Sequence, residues 1–109
     1  MEQVEISVAR LEDVPERGMR AVQAGKQPLL VCRIDDHVFT VRAFCPHRGA
    51  PLVEGKLEGA LLRCPWHGAR FDVRTGARVC VPQCKDLRIF PSRVTDGQIT
   101  VTLASAEAG

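Results

Sequence analysis

Apolar residues in this sequence recur at every second position in segment after segment, and no segment sustains the 3.6-residue period of a long helix. Val4, Ile6 and Val8 alternate with polar neighbours, as in a half-buried strand. Leu29 to Ile34 reads as a second strand. Asp35-Asp36 then turns the chain into His37–Arg42, because Asp tolerates tight-turn geometry. Arg88–Val94 and Gln98–Leu103 flank Asp96-Gly97, the strongest hairpin signal in the chain. Pro91 interrupts the first arm and predicts an edge or bulged strand there. Leu11 to Val22, with Pro15 and Gly18, reads as a loop with a short helical turn, and residues 104–109 as a frayed tail. Many short strands joined by turns predict an all-β antiparallel sandwich or barrel.

The length of 109 residues suits one domain, expected over 1–103. A domain this small has a modest core, and a metal centre would add stability. No apolar run approaches the roughly 18 residues of a membrane helix. The segment Met-Glu-Gln-Val-Glu lacks the basic start of a secretory signal, so the expected location is the cytoplasm. Five cysteines in a reducing compartment point to metal ligation before disulfides. Charge is uneven: residues 1–36 hold five basic and seven acidic side chains, residues 37–109 ten and six. The second part is either a solvated surface or a basic face for an acidic partner. No dense Lys/Arg run accompanies it and aromatics are few, which argues against nucleic acid.

Two segments between the hairpins differ from the rest. Cys45-Pro-His47-Arg-Gly-Ala-Pro51 and Cys64-Pro-Trp-His67-Gly68 are rich in Pro, Gly and His, and read as loops projecting from the β scaffold. The pattern is C-x-H, sixteen residues, then C-x-x-H. Each loop offers one thiolate and one imidazole, so the pair could clamp a metal centre from both sides. A proline after each Cys stiffens the loop, and Gly49 and Gly68 let it curl and turn backbone N–H groups inward. The same four ligand types also suit tetrahedral zinc. Cys32, in an apolar strand, reads as core. Cys80 and Cys84 read as ordinary thiols, His37 as surface, and Trp66 as a cover over the centre.

These loops closely resemble the Rieske iron–sulfur family, whose pattern is C-x-H followed at sixteen or seventeen residues by C-x-x-H. Phe44–Leu52, Leu62–Asp72 and Thr75-Gly76 are similar to its soluble ferredoxin branch. Pro82 resembles the proline-bearing third loop, and Asp96-Gly97 with Ile99 and Val101 the closing hairpin, so the likeness covers roughly residues 4 to 103. The resemblance implies a Rieske-like fold with two cluster loops at one tip and one [2Fe–2S] cluster. Cys45 and Cys64 would bind one iron, His47 and His67 the other. Two ferric ions, two sulfides and two thiolates sum to no net charge, so an electron is accepted more readily than by a four-thiolate cluster. Rieske potentials span roughly −150 to +300 mV. The low end is expected here. The positions of the loop-tying cysteines of high-potential relatives hold Ala50 and Trp66, and those of their hydroxyl donors hold Ala69 and Phe71.

The resemblance further implies an electron carrier, not a catalyst, between a flavin-containing ferredoxin reductase and a terminal oxygenase. Docking is expected around the histidines, with Pro46, Arg48, Trp66 and Pro82. The alternatives are a small Rieske-type subunit of a larger oxidoreductase, such as a nitrite reductase complex, and a zinc-stabilised interaction module.

Overall fold

A computed structural model describes residues 2–46, 49–66, 69–79 and 85–108. Its strands are β1 (Gln3–Arg10), β2 (Met19–Ala24), β3 (Gln27–Ile34), β4 (His37–Arg42), β5 (Lys56–Glu58), β6 (Leu61–Arg63), β7 (Arg70–Asp72), β8 (Arg78–Val79), β9 (Ile89–Phe90), β10 (Ser92–Thr95) and β11 (Gln98–Ala104). They form three antiparallel sheets, ordered β1-β11-β10, β2-β3-β4-β9 and β5-β6-β7-β8. The alternating segments thus become strands, and the fold class is the one the period-two pattern predicts.

Both Asp-based turns form. Ile34 pairs with His37 across Asp35-Asp36, with Asp35 at φ 56°. Thr95 pairs with Gln98 across Asp96 (φ 52°) and Gly97 (φ 76°), the left-handed pair that matches the twist of a two-residue hairpin. Pro91 divides its arm between two edge strands: β9 closes one sheet and β10 borders another. Lacking an N–H, Pro91 contributes its carbonyl instead, which accepts from the Thr102 N–H at 2.8 Å.

Three stretches differ from the sequence reading. Leu11–Asp13 is the helical turn expected, held by the Arg10 N–H on Asp13 Oδ2 (3.2 Å). The presumed loop after it, however, becomes strand β2 from Met19 onward. Its exposed Arg20 and Ala21 break the alternation, so the pattern hid an edge strand. The half-buried Arg33 guanidinium ties down the intervening loop by donating to the carbonyls of Leu11 (3.3 Å) and Val14 (3.1 Å). The tail expected to fray carries a helical turn, α1 (Ser105–Ala108). There the Ser105 N–H donates to Glu2 O at 3.0 Å, and Glu107 pairs with Arg88. The third departure is the sheet β5–β8, whose three strands of three residues and one of two are too short to show a period.

The core is shared between sheets. Leu30, Cys32 and Val41 from the β2–β9 sheet pack in one cluster with Leu62, Phe71 and Val73 from the β5–β8 sheet and its following turn, and with Cys45, Ala50, Leu52, Cys64 and Ala69 between them. The two candidate ligand cysteines therefore sit at the seam of two sheets.

Candidate metal centre

The two loops share a frame that extends the resemblance between them. Residues 45–50 and 64–69 both read C-P-x-x-G-A. In each, the Cys N–H donates to the carbonyl of the closing alanine: Cys45 to Ala50 at 2.9 Å and Cys64 to Ala69 at 2.7 Å. The first loop stands on the Phe44–Pro51 bridge, with the Gly49 N–H returning to Cys45 O at 2.8 Å and Gly49 at φ 75°. The second stands on the Arg63–Arg70 pair of β6 and β7. Each cysteine is thus the first foot of a closed six-residue loop whose second foot is a buried alanine.

Cys45 and Cys64 are 3% and 2% exposed and belong to the same core cluster. Two buried thiols held by matching backbone bonds make a dry, soft donor pair, which suits thiophilic metal chemistry. The donor chemistry therefore fits an iron–sulfur centre. His47 and His67, the other two expected ligands, lie outside the described residues, as do Arg48, Pro82, Cys80 and Cys84. Of the other residues expected around the site, Pro46 is half-buried. Trp66, read as a cover, is 55% exposed at the second loop. His37 is exposed on β4. Cys32 lies fully buried on β3, and burial pushes its thiol up to about 12, so it is an inert core residue.

The structure adds residues that the motif reading passed over. Arg78 donates to Asp86 Oδ1 from its backbone N–H (3.0 Å) and its guanidinium (3.3 Å), and the Leu87 N–H donates to Gly76 O at 2.8 Å. These contacts clamp the two feet of the segment that carries Pro82. The sequence signal was present: Arg78 and Asp86 stand four residues either side of Pro82. At the end of β7, Asp72 accepts from the Arg74 backbone N–H (2.9 Å) and guanidinium, and these bonds hold its carboxyl below the usual carboxylate range. Beside the second loop lies an open groove of about 540 Å³, lined by Glu54, Gly55, Lys56, Arg63, Cys64, Pro65 and Trp66.

The family model for the Rieske [2Fe-2S] domain matches residues 4–91. The anthranilate 1,2-dioxygenase ferredoxin subunit of Burkholderia cepacia is 37% identical over 93 residues, covering 85% of this chain and 86% of that relative. The ferredoxin of carbazole 1,9a-dioxygenase from Nocardioides aromaticivorans IC177 superposes with a TM-score of 0.85 at 29% identity, covering 90% of this chain and 96% of its own. A chain in the complex of reduced oxygenase and oxidised ferredoxin of carbazole 1,9a-dioxygenase superposes with a TM-score of 0.82 at 33% identity, over 92% of this chain and 94% of that one.

Proposed function

The chain belongs to the Rieske [2Fe–2S] family, and on that premise we propose that it is the ferredoxin of a ring-hydroxylating oxygenase system. It takes single electrons from a flavin-containing reductase and delivers them to a terminal oxygenase. Support comes from the extent of the match: relatives named as ferredoxins or ferredoxin subunits align over 86% to 98% of their own length. The complex of oxygenase with ferredoxin in the carbazole system gives the oxygenase as the partner class. Among the described residues no helix is long and apolar enough to cross a membrane, and a cytoplasmic setting suits the partners.

The observation that carries the proposal is the pair of buried cysteines at equivalent feet of two C-P-x-x-G-A loops. In this reading Cys45 and Cys64 hold one iron, and His47 and His67 the other. When bound, the cluster supplies reversible one-electron storage. The chain supplies the surroundings. The shared core of Leu52, Leu62 and Phe71 excludes water from the thiol side. The Ala50–Cys45 and Ala69–Cys64 backbone bonds fix both feet. Pro46, Arg48, Trp66 and Pro82 form the face presented to partners.

Ala69 and Phe71, at the expected hydroxyl-donor positions, are fully buried and offer no O–H. With no such donor to stabilise the added negative charge, the potential sits at the low end of the Rieske span. Aerobically purified protein should be red-brown, contain acid-labile sulfide and give a paramagnetic signal on reduction. Ala69→Ser should raise the potential. Colourless protein filled with zinc would reject the reading in favour of an interaction module. A wild-type potential well above zero would reject its low-potential part.

A further inference from the structure

Three cations stand in one row beside the second loop. The register of β5, β6 and β7 places Lys56 opposite Arg63 and Arg63 opposite Arg70. Directly opposed side chains in an antiparallel sheet share a face. The alternate positions Leu57, Leu62 and Phe71 point into the core, so the three cations emerge on the outer side. Lys56 and Arg63 are exposed and Arg70 partly so.

Like charges placed directly opposite weaken a sheet, and no ion pair among the described residues offsets this row. Their ion pairs engage Arg10, Arg33, Arg74, Arg78, Arg88 and Arg93, and none includes Lys56, Arg63 or Arg70. Asp72, two positions beyond Arg70 on the same face, is taken by Arg74. Glu58, opposite Leu61, and Glu54, in the adjoining groove, close no ion pair with the row. The residues outside the described set include no Asp or Glu.

The row also abuts the proposed ligands. Arg63 precedes Cys64, Arg70 follows Ala69, and Lys56, Arg63 and the exposed Trp66 line one groove. A half-exposed tryptophan beside arginines is the composition of an interface anchor.

We propose that the Lys56–Arg63–Arg70 row, with Trp66, is the docking surface for an electron-transfer partner that presents carboxylates. The proposal rests on the electron-carrier reading and adds the partner's surface chemistry to it. Opposite charge steers the encounter and fixes the orientation in which the second loop meets the partner. Because the row is exposed, its pull is screened beyond about 8 Å at physiological salt.

Trp66 is the one tryptophan of the chain, so its fluorescence reports on this groove alone. The probe is poly-L-glutamate, titrated into the holoprotein at low and high salt. Binding should shift Trp66 emission and weaken as salt rises. The charge-reversed variant Lys56→Glu/Arg63→Glu/Arg70→Glu should bind about tenfold more weakly, while Arg17→Glu/Arg20→Glu/Lys26→Glu, with the same change in net charge, should lose less than about twofold. Arg63→Gln, which introduces no new charge, should lose about threefold with the cluster spectrum intact.

A second readout follows one electron from the reduced protein to ferricyanide, which becomes ferrocyanide. The row variant should slow this step, and it should speed transfer to the cationic tris(phenanthroline)cobalt(III), which becomes cobalt(II). Equal losses in the two triple variants, or no response of Trp66 to polyglutamate, would overturn the surface. Protein lacking the [2Fe–2S] spectrum would instead defeat the electron-carrier reading, and the fluorescence titration would still judge the surface.

Discussion

The body of the molecule and its loop-bearing sheet solve the same problem with different means. In the body, β1 and β11 pair over most of eight and seven residues, and several basic side chains find partners: Arg93 with Glu5, Arg88 with Glu107, Arg33 with Glu16 and Asp36. In β5–β8 the strands are two or three residues long, and Lys56, Arg63 and Arg70 face one another with no ion pair to any of the three among the described residues. What the small sheet lacks in ladder length is supplied by burial of Leu62 and Phe71 and, in the proposed holoprotein, by ligation through Cys64. We expect the body to hold by its own contacts and the tip to depend on what it binds.

The largest break in that comparison should come from Cys64→Ala. We expect complete loss of visible absorbance and faster amide exchange across residues 56–72, with β1 and β11 still protected. Uniform loss of protection would show that body and tip are one cooperative unit.

Next come two glycines, one in each region. A Cβ at Gly55 would overlap the Arg63 carbonyl oxygen, and one at Gly25 the Ala108 carbonyl oxygen, with Gly25 also at φ 63°. Gly55→Ala and Gly25→Ala should each cost about 1–3 kcal/mol. Only the first should also loosen cluster retention, measured as the half-life of the visible spectrum against a chelator.

Smaller effects belong to single polar groups of the body. The Thr40 hydroxyl is buried and has no hydrogen-bond partner among the described residues. Thr40→Val should raise stability by up to about 1 kcal/mol in thermal unfolding, since it removes an unmet polar group at nearly constant volume. The smallest effect concerns Glu107, whose carboxyl is held below its usual range by hydrogen bonding to Arg88. A lowered folded value contributes stability above the unfolded Glu value of about 4.3, lost as pH falls through the folded one. Glu107→Gln should therefore cost under about 1 kcal/mol at pH 7, and the deficit should close in acid.

Legibility in the sequence followed the same division. The hairpins around Asp35-Asp36 and Asp96-Gly97 could be read because alternation and turn residues agree there. Strand β2 could not, since an edge strand with Arg20 and Ala21 exposed shows no clean period. The β5–β8 sheet escaped for lack of length. Its row of cations depends on register, which no local pattern in 56–72 encodes. The ligand motif was legible as spacing, and the structure adds that Cys45 and Cys64 occupy equivalent feet. Alanine closes both loops because Ala50 and Ala69 are fully buried, a burial that the local sequence does not encode.

Pro91 alone passes the chain from the β2–β9 sheet, ending at Phe90, to the β1–β10 sheet, resuming at Ser92. A cut after this residue would leave a hairpin, 92–104, whose long arm adds to β1 on the larger fragment. The two pieces should therefore reassemble from separate polypeptides. The proline corner is then a natural break point for a split protein whose recovered colour reports that its halves have met.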